Sequence, residues 1–290
     1  MFEGCGTALI TPFQKNGSLD ESTLKKLVRR QIEAGIHFLV PCGTTGESPT
    51  LTHAEHLRVV EITLDEAKGQ VPVLAGAGGY NTAEVIVLAK ELEEMGVDGL
   101  LSVTPYYNRP TQEGLFQHYK AIAKAVMIPI MVYSVQGRTG VNVEPGTLKR
   151  LAAIKNIVGV KDASGNMAQV ARVIQEVPED FLVLSGDDSV TIALMALGGK
   201  GVISVVGNQI PGEMANLAEA CLNQDFGTAR SIQRQFLPLM EVNFVESNPI
   251  PVKAMMAQMG LCKPVWRLPL VPPTEASLVK IQEVMAQVGL

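Results

Sequence analysis

The sequence predicts a (β/α)8 barrel of the α/β class with a C-terminal helical appendix. Eight short runs rich in β-forming residues alternate with helical patterns along the first two thirds of the chain. Several of these runs are continuously apolar, which is typical of parallel strands covered on both faces. A length of 290 residues also suits one barrel domain of this kind.

The predicted strands follow one another at the spacing of strand-helix-strand units. In chain order they are Gly6–Ile10, Phe38–Pro41, Val71–Ala75, Gly99–Val103, Ile128–Tyr133, Ile157–Lys161, Phe181–Ser185 and Gly201–Val206. A doubly wound open sheet is the rival architecture, but its first strand should lead into a G-x-G-x-x-G turn. The first strand here leads into Thr11-Pro12-Phe13, which favours the barrel.

The helical segments have their own signals. Thr52 and Glu55 are spaced as a capping box, so we expect a helix to begin there. After Asn208 only helical patterns remain, at Pro211–Asn223, Phe226–Val245, Pro249–Met259 and Thr274–Val288. We therefore expect a catalytic barrel domain over residues 1–224 and a helical subdomain over residues 225–290 that packs on it.

Composition excludes several classes of protein. The net charge is −5 and the pI about 5.5, without the basic stripe that nucleic-acid binding requires. No apolar run is long enough to cross a bilayer, and no basic segment precedes an apolar stretch at the N-terminus. The four cysteines lack metal or redox spacing, so we expect them to be reduced. We expect a cytoplasmic protein without nucleic-acid or membrane partners.

Lys161 is the most informative residue, because it ends an otherwise apolar strand. An ammonium directed into a packed interior loses hydration and tends to lose its proton, which makes it a nucleophile toward carbonyl groups. The alternative is that its stem covers apolar surface while its head reaches water at the rim. Residue type alone leaves both readings open.

Other polar groups follow the predicted strand ends, where the active site of a barrel forms. Gly43-Thr44-Thr45-Gly46-Glu47 could present backbone N–H groups and hydroxyls to a small anion, or could be an ordinary turn. Tyr133 could pass protons, and Arg138 in the loop Gly137-Arg138-Thr139-Gly140 could grip a carboxylate. Each could equally be a structural or solvated residue. Together with Lys161, the turn Gly43–Glu47 suggests that the protein binds a keto acid.

His53 and His56 invite a metal reading, but the pattern fails. They lie three residues apart at a helix start, whereas the metalloprotease motif places its histidines four apart. No third ligand cluster stands out, so we expect no metal site and solvated histidines.

Five motifs follow one another along the chain: Gly43-Thr44-Thr45-Gly46-Glu47, Tyr106-Tyr107-Asn108, Tyr133, Gly137-Arg138-Thr139-Gly140 and Gly159-Val160-Lys161-Asp162. In this order they resemble the motifs of the dihydrodipicolinate synthase family, and the match covers essentially the whole chain. The threonine pair and the barrel lysine mark the wider pyruvate-dependent superfamily. The arginine followed by Thr-Gly separates the synthase branch from N-acetylneuraminate lyase and the keto-deoxy-sugar-acid aldolases.

The resemblance implies a lyase of lysine and diaminopimelate biosynthesis that condenses pyruvate with L-aspartate-4-semialdehyde through an imine on Lys161. The implied proton relay is Tyr133, Thr44 and Tyr107, and the implied substrate-binding positions are Thr45, Arg138, Ile203 and Gly186. Tyr107 would reach into the site of a partner subunit, which implies a homo-oligomer, usually a dimer of dimers. No metal or organic cofactor is implied.

The resemblance also implies a site that binds L-lysine as an inhibitor. At this site some residues match those of the family and others differ. Ser48, His53, His56, Glu84 and Tyr106 match, whereas Tyr80 stands where an asparagine is common, and Pro49 replaces a small residue. A phenol in place of an amide predicts that feedback persists but is weakened.

A second departure lies before Arg138, where Tyr133-Ser134-Val135-Gln136 replaces the usual Tyr-Asn-Val-Pro. Loss of the proline predicts a more mobile segment and weaker semialdehyde binding.

Two alternatives to the synthase function stay open. A sibling class I aldolase would use Lys161 and Tyr133 without needing Arg138, and a non-catalytic homologue would bind pyruvate without turnover.

Overall fold

The computed structural model describes all residues from 1 to 290, and it contains the predicted barrel. Its strands are β1 (Gly4–Ala8), β2 (Phe38–Val40), β3 (Leu74–Gly76), β4 (Gly99–Val103), β5 (Ile130–Ser134), β6 (Ile157–Asp162), β7 (Leu182–Ser185) and β8 (Gly201–Ser204). Each overlaps a predicted strand, and β4 has the predicted bounds. The eight-stranded interpretation is confirmed.

Helices fill every connection between consecutive strands. They are α1 (Glu21–Glu33), α2 (His53–Ala67), α3 (Thr82–Glu94), α4 (Gln112–Ala125), α5 (Gln136–Thr139), α6 (Pro145–Ala152), α7 (Met167–Glu176), α8 (Thr191–Ala196), α9 (Pro211–Leu222), α10 (Phe226–Val242), α11 (Ile250–Gln258) and α12 (Glu275–Val288). The predicted capping box of Thr52 and Glu55 begins α2. No helix is both long and apolar enough to cross a membrane.

All strand pairs are parallel, in the order β2-β1-β8-β7-β6-β5-β4-β3. The two end strands of that order, β2 and β3, meet through a single parallel bridge between Leu39 and Val73. The backbone N–H of Gly76 also donates to the carbonyl of Pro41 at 2.9 Å. These contacts almost close the barrel, so the strands surround its interior.

The core has two layers, as expected for a barrel. An inner cluster of 12 buried residues fills the space within the strands, and it includes Phe2, Phe38, Tyr133 and Ile203. An outer cluster of 55 buried residues lies between the strands and the surrounding helices. The inner cluster is apolar except at the carboxyl ends of the strands.

The C-terminal helices pack against the rest of the chain rather than standing apart. Helix α10 contacts α9 and α12, and α11 contacts the short turn Val206–Asn208 that follows β8. Asn243, at the end of α10, donates to Gln209 at 2.9 Å. This packing places α11 at the mouth of the barrel. The domain boundary between residues 224 and 225 stays a prediction.

Three local expectations were wrong. The segment Gly137–Gly140 is not a loop throughout, because α5 forms one helical turn there and Gly140 ends it at a positive φ of 71°. Helix α10 ends at Val242, three residues before the predicted end. His56 is buried rather than solvated, and its Nε2 donates to the carbonyl of Gly76 at 2.8 Å. Burial lowers the pKa of His56 and favours this neutral form.

The pairing of β1 with β8 depends on two glycines. Gly201 lies opposite Gly4 at a φ of 152°, and a Cβ on Gly201 would lie 1.9 Å from the carbonyl oxygen of Gly4. No side chain fits there without separating the two backbones.

We therefore expect Gly201→Ala to lower the free energy of unfolding by about 2–4 kcal/mol, measured by urea unfolding. Gly146→Ala is the matched control, because Gly146 lies in α6 with nothing within 4 Å of its Cβ position. The control should retain or gain stability by about 0.5–1 kcal/mol, since alanine favours helix. Equal stability of Gly201→Ala and the wild type would contradict the close approach.

Candidate active site

Lys161 and Tyr133 are direct neighbours on adjacent parallel strands. The register of β5 and β6 pairs Tyr133 with Lys161, so both side chains point to the same face of the sheet, toward the barrel interior. Lys161 is 5% exposed and Tyr133 is 6% exposed. The Nζ atom of Lys161 lies 4.2 Å from the centre of the Tyr133 ring. The lysine therefore does not extend to water at the rim.

Gly186 keeps space open beside the lysine. It follows β7, next to β6, and a Cβ there would lie 3.1 Å from Cε of Lys161 and 2.8 Å from Cβ of Ala163. Its backbone N–H donates to the carbonyl of Asp162 at 2.7 Å. A larger residue would press on the lysine stem, so glycine is required for the lysine to lie where it does.

The threonine turn, Gly43–Glu47, lies across the cavity from Lys161. Thr45 is buried, and its Oγ1 accepts a hydrogen bond from Nδ2 of Asn248 at 2.9 Å. Because the threonine oxygen accepts this bond, its own O–H is free to donate to a guest. Thr44 is partly exposed and lines the same space. The turn thus presents hydroxyl donors to an anion.

Two adjoining cavities open at this end of the barrel. The smaller cavity, about 150 Å³, is lined by Lys161, Thr45, Gly186 and Asn248 among others. The larger cavity, about 300 Å³, is lined by His56, Tyr106 and Leu101 among others. Four residues line both: Thr44, Tyr133, Val135 and Arg138. The two spaces therefore share one wall, with Lys161 on the smaller cavity only.

Arg138 lies on the border between the cavities. Its backbone N–H donates to the carbonyl of Val135 at 2.9 Å within α5, and its side chain is exposed. The Nη2 atom donates to the carbonyl of Asn248 at 3.0 Å. The remaining guanidinium N–H groups are available for a carboxylate in the cavity.

Ser134 and its neighbours stabilise the strand end before α5. Ser134 is buried, its hydroxyl accepts from the backbone N–H of Val143 at 3.2 Å, and it donates to Asn142 at 3.4 Å. Asn142 in turn accepts from and donates to Gln169. A serine therefore finds partners where the family usually has asparagine. The predicted mobility of Gln136–Thr139 stays a prediction that crystallographic B-factors would test.

Sequence reasoning missed two residues at the site, Asn248 and Lys253. Asn248 lies between two predicted helices and carries no motif, yet it contacts both Thr45 and Arg138. Lys253 was assigned to a helix without a role. Its signal was present, because it is the only charged residue in the otherwise apolar run Ile250–Met256.

Lys253 forms a fully buried ion pair with Glu47, the last residue of the threonine turn. The Nζ and Oε1 atoms are 2.5 Å apart, and neither side chain is exposed. Burial lowers the pKa of Lys253, and the neighbouring carboxylate opposes that shift. Its Nζ also donates to the carbonyl of Thr11 at 3.1 Å.

Tyr107 does not face the cavity of its own chain. It lies in the tyrosine loop, Tyr106–Arg109, it is 93% exposed, and its φ is 68°. A positive φ is costly for a bulky residue and persists where surrounding contacts impose it. Ile203 is buried in the inner core, and its side chain lines neither cavity.

The residues matched to a lysine site divide into two groups. Ser48, His56 and Tyr106 line the larger cavity. His53, Tyr80 and Glu84 do not line it, and each has a partner elsewhere. His53 pairs with Glu91 at 2.7 Å, and Glu84 accepts from Asn81 at 2.9 Å.

Tyr80 packs on the tyrosine loop. Its ring meets that of Tyr106 edge-on at 5.2 Å, and its carbonyl accepts from Asn108 at 3.0 Å. Burial, with smaller contributions from Tyr80 and Glu84, raises the pKa of Tyr106. No three His, Cys, Asp or Glu side chains cluster closely enough to hold a metal ion.

Known proteins resemble this chain over its full length. The model of the dihydrodipicolinate synthetase family matches residues 1–288. The 4-hydroxy-tetrahydrodipicolinate synthase of Koribacter versatilis is 51% identical over 288 residues, which cover 99% of this chain and 96% of that protein. The synthase of Syntrophus aciditrophicus is 51% identical over 290 residues, covering 100% and 99%.

Solved structures agree with this likeness. The chloride-inhibited dihydrodipicolinate synthase of Acinetobacter baumannii, complexed with pyruvate, matches with a TM-score of 0.98 and 41% identity, covering 100% of this chain and 99% of that one. The synthase of Cyanidioschyzon merolae with lysine bound matches with a TM-score of 0.96 and 38% identity, covering 100% and 99%. Similarity of this extent, in sequence and in fold, places the chain in the dihydrodipicolinate synthetase family.

Proposed function

We propose that the chain is a 4-hydroxy-tetrahydrodipicolinate synthase, which condenses pyruvate with L-aspartate-4-semialdehyde. The observation that carries this proposal is the buried amine of Lys161, held 4.2 Å from the Tyr133 ring centre beside the threonine turn. Relatives about half identical over their full length bear that name. The reaction would serve lysine and diaminopimelate biosynthesis.

In the proposed reaction, the amine of Lys161 attacks the keto carbon of pyruvate, and loss of water leaves an imine. The cationic imine is an electron sink, so a methyl proton can leave to give an enamine. The enamine carbon bonds to the aldehyde carbon of the semialdehyde. The amine of that substrate then displaces Lys161 as the ring closes. No organic cofactor or metal is needed, because the imine itself supplies the sink.

Each step also moves a proton between nitrogen and oxygen atoms. We assign this relay to Tyr133 and Thr44, which both line the two cavities, with Tyr107 supplied by a partner subunit. A phenol can accept and return a proton where bulk water is excluded. Thr45 donates to the pyruvate carboxylate, while Gly186 and the carbonyl of Ile203 border it.

Arg138 supports the synthase over a sibling aldolase. It borders both cavities, and its free N–H groups suit the carboxylate of a semialdehyde entering from the larger one. The two relatives described above are also named as synthases and not as sugar-acid aldolases. A non-catalytic homologue is less well supported, because the lysine, the phenol and the threonine hydroxyls are all assembled around one cavity.

Borohydride reduction in the presence of pyruvate should attach the substrate irreversibly to Lys161, because borohydride reduces an imine to a stable amine. Peptide mass mapping should find the adduct on that residue alone. Lys161→Ala should abolish the adduct and the turnover. Lys200→Ala is the matched control, because Lys200 precedes β8, at the opposite end of the barrel. An adduct on another lysine, or none on the wild type, would contradict the proposed chemistry.

We further propose that the active unit is a homo-oligomer in which Tyr107 completes the partner's site, within a dimer of dimers. The support is its exposure and positive φ, which point an aromatic side chain away from its own barrel. Tyr80 holds the tyrosine loop in that position, because its ring packs on Tyr106 and its carbonyl accepts from Asn108.

Complementation between two inactive variants tests this arrangement. Tyr107→Phe and Lys161→Ala should each be nearly inactive alone. After unfolding and refolding together, mixed dimers hold one site with both residues intact, so about a quarter of wild-type activity should return. Mixing Tyr133→Phe with Lys161→Ala is the control and should restore nothing if both residues act within one subunit. No recovery in the first mixture would show that Tyr107 does not act across an interface.

We also propose that L-lysine inhibits this protein, more weakly than in relatives with an amide at position 80. Glu84 is exposed, so its carboxylate can turn from Asn81 to an incoming ammonium. Ser48, His56 and Tyr106 line the cavity that a bound amino acid would share.

Glu84→Gln should raise the lysine concentration for half-inhibition by about tenfold, because it removes one charge-assisted contact of about 1.4 kcal/mol. Tyr80→Asn should lower that concentration. Steady-state rates at fixed pyruvate measure both. Glu94→Gln, on the last turn of the same helix, is the control and should leave inhibition unchanged. Wild-type rates unaffected by millimolar lysine would exclude the regulation.

A further inference from the structure

We propose that the anchor segment, Asn248–Lys253, sets the positions of the threonine turn and of Arg138, and thereby the affinity for both substrates. Asn248 and Lys253 are then positioning residues that touch no reacting atom. This inference deepens the proposed function and rests on it. The segment includes the end of the connection after α10 and the first turn of α11, whereas most other residues that line the smaller cavity come from the barrel.

The first contact is the buried ion pair of Lys253 with Glu47. Removing two charges from water costs several kcal/mol each, so the pair is a poor source of stability compared with apolar side chains of similar volume. It does constrain the relative positions of Lys253 and Glu47, because any displacement of one charge leaves the other buried and unpaired. The pair therefore fixes where the threonine turn ends.

The second contact extends this constraint through the turn. Thr11 donates to the carbonyl of Gly46 at 2.6 Å, while its own carbonyl accepts from Lys253. Glu47 has a φ of 54°, a conformation that a residue with a side chain adopts only where its surroundings impose it. One ammonium thus contacts both the last residue of the turn and the residue that supports Gly46.

A third set of contacts seals the pair from solvent. The second oxygen of Glu47 accepts from the backbone N–H of Arg267 at 3.2 Å. The ring of Phe13, itself fully buried, lies 4.4 Å from Nζ of Lys253 and 4.2 Å from Cζ of Arg267. A low local dielectric strengthens every charged contact inside this enclosure.

At its other end, the anchor segment touches both carboxylate-binding groups through Asn248. The side-chain amide donates to Thr45, which orients the threonine hydroxyl toward the smaller cavity. The backbone carbonyl accepts from Nη2 of Arg138, which holds the guanidinium at the border of the larger cavity. One buried residue therefore sets the distance between the two groups that would receive the two substrate carboxylates.

The test measures Michaelis constants separately from turnover. Asn248→Ala removes the side-chain amide that contacts Thr45 but keeps the backbone carbonyl that accepts from Arg138. It should therefore raise KM for pyruvate by tenfold or more, with KM for the semialdehyde and kcat each changed less than threefold, because Arg138, Lys161 and Tyr133 keep their contacts. Lys253→Met should raise KM for pyruvate and lower thermal stability. The double variant Glu47→Gln/Lys253→Met should recover stability, since no charge is left unpaired, while its KM stays raised.

The control is Ile122→Ala, which removes packing from α4, a helix that lines neither cavity. It should lose stability without a change in either KM. Wild-type KM values in Asn248→Ala and in the double variant would overturn the positioning role. Equal rises of KM in Ile122→Ala would do so too.

Borohydride trapping in the same samples separates the two levels of inference. A wild-type adduct on Lys161 with unchanged KM values in the anchor variants would overturn only the positioning role. Absence of that adduct in the wild type would overturn the proposed function and this inference together.

Discussion

The site depends on the parallel register between β5 and β6. Because successive side chains of a strand alternate between faces, the pairing of Tyr133 with Lys161 directs both into the barrel, side by side. If one strand slipped by one residue relative to the other, its side chain would turn outward into the helical layer and the pair would be lost. Barrel closure then buries both side chains almost completely, so the amine and the phenol lie side by side with little exposure to bulk water.

A second constraint acts from outside the barrel. The C-terminal helices contribute no strand, yet they carry Asn248 and Lys253 to the strand ends. A barrel alone would leave the threonine turn as a surface loop with an unpaired glutamate. The C-terminal helices make that turn a rigid part of the site. This is a structural reason for the chain to continue after the eight strand-helix units.

Sequence reasoning recovered the eight strands, the capping box of α2 and the family, because these follow from local periodicity and from short motifs. It failed where long-range contacts decide the outcome. His56 was expected to be solvated, but packing of α2 buries it. Lys253 carried a visible signal, a single charge in an apolar helix, but its partner lies 206 residues away along the chain.

The sequence by itself determined the architecture and the chemical types at the strand ends, because hydrophobic periodicity and turn residues act over a few neighbours. Only the tertiary structure decided whether the amine of Lys161 is buried, which residues hold the threonine turn, and where Tyr107 points. Those outcomes depend on distances between segments that are far apart in the chain. Such distances are set by barrel closure and by the packing of α11 against its mouth, and neither leaves a local pattern in the sequence.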